Sequence, residues 1–137
     1  MARQIGTSRI VGVGHSGGAA QLGGGLGLAP GLVQRAVLVS CPCDIATWRK
    51  LRGRSAWSKS QAESPHLQIP RIAKGTRIAL VVGAKDDNTF PQLSEAYAAA
   101  AKARGLSATL VQVPGAKHNL NAALQAAALK AVNLELR

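Results

Sequence analysis

The sequence predicts an α/β layered domain built on a mainly parallel sheet, and three observations carry that expectation. Short runs rich in Val, Ile and Leu, each bounded by turn residues, alternate with stretches of helical spacing. The order is strand, helix, strand, then strand, helix, strand, helix, which implies crossover connections and a sheet covered on both faces. The length of 137 residues and the 47% hydrophobic content suit one domain, 1–137, with a real core.

The strand candidates are Arg9 to Val13, Ala36 to Ser40, Arg77 to Val82 and Thr109 to Val113. Between the first two, Ala19, Ala20, Leu22, Leu26 and Leu28 allow a helix within Gly17 to Gly31. Gly23-Gly24-Gly25 interrupts it, at about 1 kcal/mol per glycine relative to alanine, so this helix is expected to be irregular or very closely packed. Pro91 to Arg104 repeats Leu93, Ala96, Tyr97, Ala100 and Ala101 at helical spacing, and Gly105 is placed to stop it. A last helix runs from about Asn121 to Val132, with Leu124, Ala128 and Leu129 on one stripe. Residues 44–74 break the pattern. Ile45 to Leu51 suits a short helix, and the rest reads as an irregular, lid-like insertion lying over a sheet edge.

Composition excludes several classes. No apolar stretch reaches the roughly 18 residues that span a bilayer, and Met1-Ala2-Arg3-Gln4 does not open a signal peptide, so a cytoplasmic protein without a membrane partner is expected. Cys41 and Cys43 flank Pro42, too close together to staple a fold, and no second pair completes a zinc site; free thiols and no metal are expected. The net charge of +11 would attract polyanions, but its dense cluster, Arg49, Lys50, Arg52, Arg54 and Lys59, lacks a recognition-motif spacing. Nucleic acid is therefore set aside as the main partner.

The chemistry starts from Gly14-His15-Ser16-Gly17-Gly18, which spells G-x-S-x-G directly after Ile10-Val11-Gly12-Val13. A sharp turn from strand to helix would present Ser16, with glycines two residues either side to allow the close approach. A serine nucleophile needs a base to take its proton and a third group to orient the base. Of three histidines, His15 sits beside the serine, where it should pack or bond locally, and His66 lies in the weakly patterned segment. His118 follows the last strand in Pro114-Gly115-Ala116-Lys117-His118, at the sheet edge where ligands gather, and is the best base. Asp86 and Asp87 follow the third strand, and either carboxylate could hold an imidazole; the bland alternative is a cap for the helix after Phe90. The order Ser16, Asp86, His118, each just past a strand, is a hydrolase signature.

At this point the sequence resembles the α/β-hydrolase family, in the branch around prolyl oligopeptidase and dienelactone hydrolase. Ser8 to Gly18 looks like its strand and nucleophile elbow, Gly83 to Asn88 its acid turn, and Gly115 to Asn119 its histidine loop. The resemblance covers nearly the whole chain. It implies a partial α/β-hydrolase fold of about four strands, with the N-terminal strands of the family absent, and it selects Asp86 over Asp87 as the acid. The implied activity is a serine hydrolase acting on a small-molecule ester, thioester or amide through an acyl-enzyme, without a cofactor, with the Gly17 N–H as oxyanion donor. No segment corresponds to the family loop that brings a second donor, whose loss costs about a hundredfold to a thousandfold in rate. The resemblance also places strand 9–13 on an open sheet edge. The alternative expectation is thus a noncatalytic half-domain that dimerises or pairs with another chain there.

Overall fold

The computed structural model describes residues 10–53 and 64–136. It contains four parallel strands in the order β1-β2-β3-β4: β1 Gly12–His15, β2 Arg35–Val39, β3 Arg77–Gly83 and β4 Ser107–Val113. The helices are α1 Gly17–Leu28, α2 Ile45–Arg52, α3 Pro65–Gln68, α4 Pro91–Ala103 and α5 Ala122–Leu136, with a 3-10 turn at Ile69–Arg71. β1 runs two residues beyond the expected Val13, because Gly14 and His15 still pair with Leu38 and Val39. Arg9, the expected start of that strand, lies outside the described residues, as do Arg54, Trp57 and Lys59.

The alternation of strand side chains divides the core in two. Ala36, Leu38, Ile78 and Leu80 pack with Ala19 and Leu26 of α1 and with Tyr97, Ala98 and Ala101 of α4. Val37, Val39, Ala79 and Val81 point the other way, onto Leu124, Ala128 and Ala131 of α5. β2 and β3 are therefore apolar on successive residues, as strands buried on both faces must be.

α1 is unbroken over 12 residues despite its glycines. A Cβ at Gly23 would come within 2.9 Å of Pro65 Cβ, and one at Gly27 within 2.6 Å of the Gln68 carbonyl. The glycines let α1 and α3 approach closely, and the resulting contact offsets their poor helix propensity.

Cys41 and Cys43 are not free thiols. They are joined as a disulfide, with Cα atoms 5.0 Å apart, inside the range such a bond allows. The chain leaves β2 through Ser40 in the left-handed region (φ 51), and both cysteines then enter the same buried cluster. No helix among the described residues is long and apolar enough to cross a membrane.

Candidate active site

β1 ends at His15 and α1 begins at Gly17, so Ser16 alone makes the turn, with φ 56 and ψ −115. A non-glycine residue held there stores strain of about 1–3 kcal/mol. It persists because both sides are fixed: the Ser16 N–H donates to the Val39 carbonyl at 2.9 Å, and its carbonyl accepts from Ala20 N–H at 3.1 Å. Gly14 is required for the turn, since a Cβ there would collide with the Gly18 backbone, whereas Gly18 faces open space. Of the two glycines expected to serve the close approach, only Gly14 does so within this chain.

Ser16 and His118 follow the two opposite edge strands. With neighbouring strands about 4.8 Å apart, three gaps separate those strands by roughly 14 Å, so the loop after β4 must travel back across the sheet edge. Contacts at three places guide it: two backbone bonds to the end of β3, the space at Gly83, and the His118 carbonyl. Ala84 N–H and Lys85 N–H donate to the Val113 and Ala116 carbonyls, each at 2.9 Å, tying the loop to the end of β3. Gly83 lies so near the Ala116 and Lys117 carbonyls that any Cβ would strike them. Farther along, the His118 carbonyl lies 3.0 Å from His15 Nε2 and 3.5 Å from Ser40 Oγ.

The imidazole of His118 thereby faces the serine on one side and the acid turn on the other. Ser16 Oγ is 2.9 Å from Nε2, and Asp86 Oδ2 is 3.1 Å from Nδ1. Because Nδ1 faces a carboxylate, it carries the proton of the neutral ring, which leaves Nε2 free to accept from Ser16 Oγ–H. The Asp86 side chain is fully buried and His118 is 16% exposed. Burial pushes the Asp86 carboxyl pKa up. Hydrogen bonds from His118, Thr89 and the Asn88 N–H, with attraction to His118, outweigh burial and hold it below the ordinary aspartate value. The carboxylate is thus an anion at neutral pH.

Asp86, not Asp87, faces His118; the Asp87 carbonyl accepts from Arg52 Nη1 at 3.2 Å. Nor does this turn cap α4. Phe90 occupies the cap position without a side-chain bond, and Asp86 Oδ1 instead accepts from the N–H groups of Asn88 at 2.9 Å and Thr89 at 2.8 Å. His15, expected to bond locally, reaches a carbonyl 103 residues away. Thr89 also enters this site. Its only sequence signal is a hydroxyl three residues after an aspartate, a spacing at which short side chains bond back to the turn.

No protein-family model matches the chain, and no curated protein does. Solved structures do. The fold is of the α/β-hydrolase type, and similar chains include peptidases and esterases. A puromycin hydrolase is 15% identical with a TM-score of 0.70, over 98% of this chain and 22% of its own. An acylaminoacyl peptidase in complex with a chloromethyl ketone is 11% identical with a TM-score of 0.74, over 95% of this chain and 24% of its own. The esterase domain of a Rhodothermus marinus protein is 19% identical with a TM-score of 0.68, over 98% of this chain and 61% of its own. The chain therefore spans only part of the length of each.

Proposed function

We propose that the chain is a serine hydrolase of esters, thioesters or amides, and that Ser16, His118 and Asp86 are its catalytic triad. The observation that carries this reading is the continuous contact from Ser16 Oγ through both ring nitrogens of His118 to Asp86, with distances of 2.9 and 3.1 Å. As Ser16 Oγ bonds to the substrate carbonyl carbon, its proton passes to Nε2, and the buried Asp86 carboxylate stabilises the imidazolium so formed. The imidazolium then returns the proton to the departing alcohol, thiol or amine, leaving an acyl-serine. Water repeats the sequence, giving its proton to Nε2 while its oxygen attacks the acyl carbon. Gly17 supplies an N–H at the α1 N-terminus, where helix amides lack intrahelical partners and the local dipole favours an oxyanion.

A fluorophosphonate probe tests the assignment. Wild-type protein should become labelled on Ser16, and Ser16→Ala should not be labelled at all. Equal labelling of both would overturn the reading.

A second reading rests on the open edge. Among the described residues β1 is an end strand of the sheet, Val13 and Leu129 are 53% and 61% exposed, and a groove lined by Val13, His15, Val39, Leu120, Leu129 and Val132 lies between β1 and α5. In that reading the chain pairs with a second polypeptide along β1. Light scattering of the purified chain at rising concentration tests the case in which that polypeptide is a second copy: a constant monomer mass would exclude self-pairing.

A further inference from the structure

We propose that Thr89 is a positioning residue whose hydroxyl is a second acceptor for the His118 Nδ1 proton, so that the imidazolium is held by two oxygens rather than one. The inference rests on the triad reading above and assigns to Thr89 a role that the fold and the triad do not require.

Three atoms form a closed triangle: Thr89 Oγ1 lies 2.8 Å from Asp86 Oδ2 and 3.1 Å from His118 Nδ1, and the latter two are 3.1 Å apart. Thr89 is 1% exposed and Asp86 3%, so water does not supply these bonds. A hydroxyl has one proton and two lone pairs. Of its two neighbours, the ionised carboxylate is the acceptor and the protonated Nδ1 is a donor, so Oγ1–H points to Asp86 and the oxygen lone pairs face Nδ1–H. The Thr89 main chain locks the arrangement, because its N–H donates to the other carboxylate oxygen, Oδ1, at 2.8 Å. Oγ1 is therefore the negative end of a dipole aimed at the ring, and it stabilises His118 more when the ring is charged than when it is neutral.

The other groups facing the ring do not substitute for it. Asp86 is the sole carboxylate bonded to it among the described residues. From β1 and its turn come Ser16 at Nε2 and the His15 ring, whose centroid is 5.4 Å away and whose Nε2 engages the His118 carbonyl. From the end of β2 comes Ser40, whose hydroxyl points to the same carbonyl.

Thr89→Val removes the hydroxyl at nearly constant volume, and Thr89→Ser keeps it. The measurement is an NMR titration of the His118 ring nitrogens, assigned with His118→Gln, and it needs no activity. In Thr89→Val the His118 pKa should fall, and in Thr89→Ser it should return to the wild-type value. Phosphonylation of Ser16 by the fluorophosphonate, in which fluoride leaves phosphorus and charge develops on the same ring, should slow about tenfold in Thr89→Val, as expected when a hydrogen bond to a charged group is lost, and should recover in the serine variant. An unchanged His118 pKa in Thr89→Val would overturn the proposal, as would a fall that serine fails to restore, since packing alone would then be responsible. Failure of the triad reading shows separately, as labelling that survives Ser16→Ala.

Discussion

Two clusters of the same composition lie in this molecule, and their atoms are wired differently. In the first, Ser16 and Asp86 contact opposite nitrogens of His118. In the second, Ser64 Oγ lies 3.0 Å and Asp44 Oδ1 3.7 Å from the same nitrogen, Nδ1 of His66. An imidazole relays a proton only by gaining one at one nitrogen while the other is held, so the second cluster cannot couple its acid to its serine. Its members also have other partners. Ser64 Oγ accepts from Ile45 N–H at 3.0 Å, and Asp44 caps α2 through Thr47 N–H at 3.1 Å and the Thr47 hydroxyl at 2.7 Å. Serine, histidine and aspartate in proximity are therefore not in themselves an arrangement able to relay a proton, which requires contacts at both ends of the ring.

The sharpest break between the clusters comes from exchanging their histidines for alanine. His118→Ala should reduce the rate of fluorophosphonate labelling by about 10⁴-fold, whereas His66→Ala should leave it within about twofold. A comparable loss in both would erase the distinction. Asp86→Asn comes next, with labelling reduced by about 10³ to 10⁴-fold because the ring loses the partner that fixes its tautomer, while Asp44→Ala leaves labelling intact.

Asp86→Asn also has a signature in stability. The folded-state pKa of Asp86 lies below its unfolded value, so the folded chain binds fewer protons there. The stabilisation is complete above the unfolded pKa of about 3.9 and is lost as pH falls through the lower folded value. Urea denaturation should accordingly show a gap between wild type and Asp86→Asn at pH 7 that narrows below about pH 4. A gap independent of pH would mean that the ionised carboxylate is not its source.

The second cluster should answer in stability rather than labelling. Ser64→Ala leaves the buried Ile45 N–H without its acceptor, at a cost of about 1–3 kcal/mol. The smallest effect is that of Asp44→Ala, about 1 kcal/mol for a lost helix cap, read from the same urea curves.

Much of this was legible from residue order. Ser16, Asp86 and His118 each follow a strand, and parallel strands bring such positions to one sheet edge whatever their separation along the chain. The four strands and the helix starting at Pro91 stand out because their apolar periods are unmistakable. What escaped sequence reading are contacts with no period. Thr89 contributes one hydroxyl to a triangle closed by a loop from another strand. His15 bonds a distant carbonyl, and Cys41 and Cys43 pair across Pro42.

The amino-acid sequence by itself determined the layered α/β class, the elbow glycine at position 14 and the placement of Ser16, Asp86 and His118 each just past a strand, because apolar period and chain order are written residue by residue. Only the tertiary structure decided which histidine meets which serine, and through which nitrogen. That choice depends on how far the loop after β4 crosses the sheet edge, a path set by backbone bonds to Ala84 and Lys85 and by the space that Gly83 leaves open.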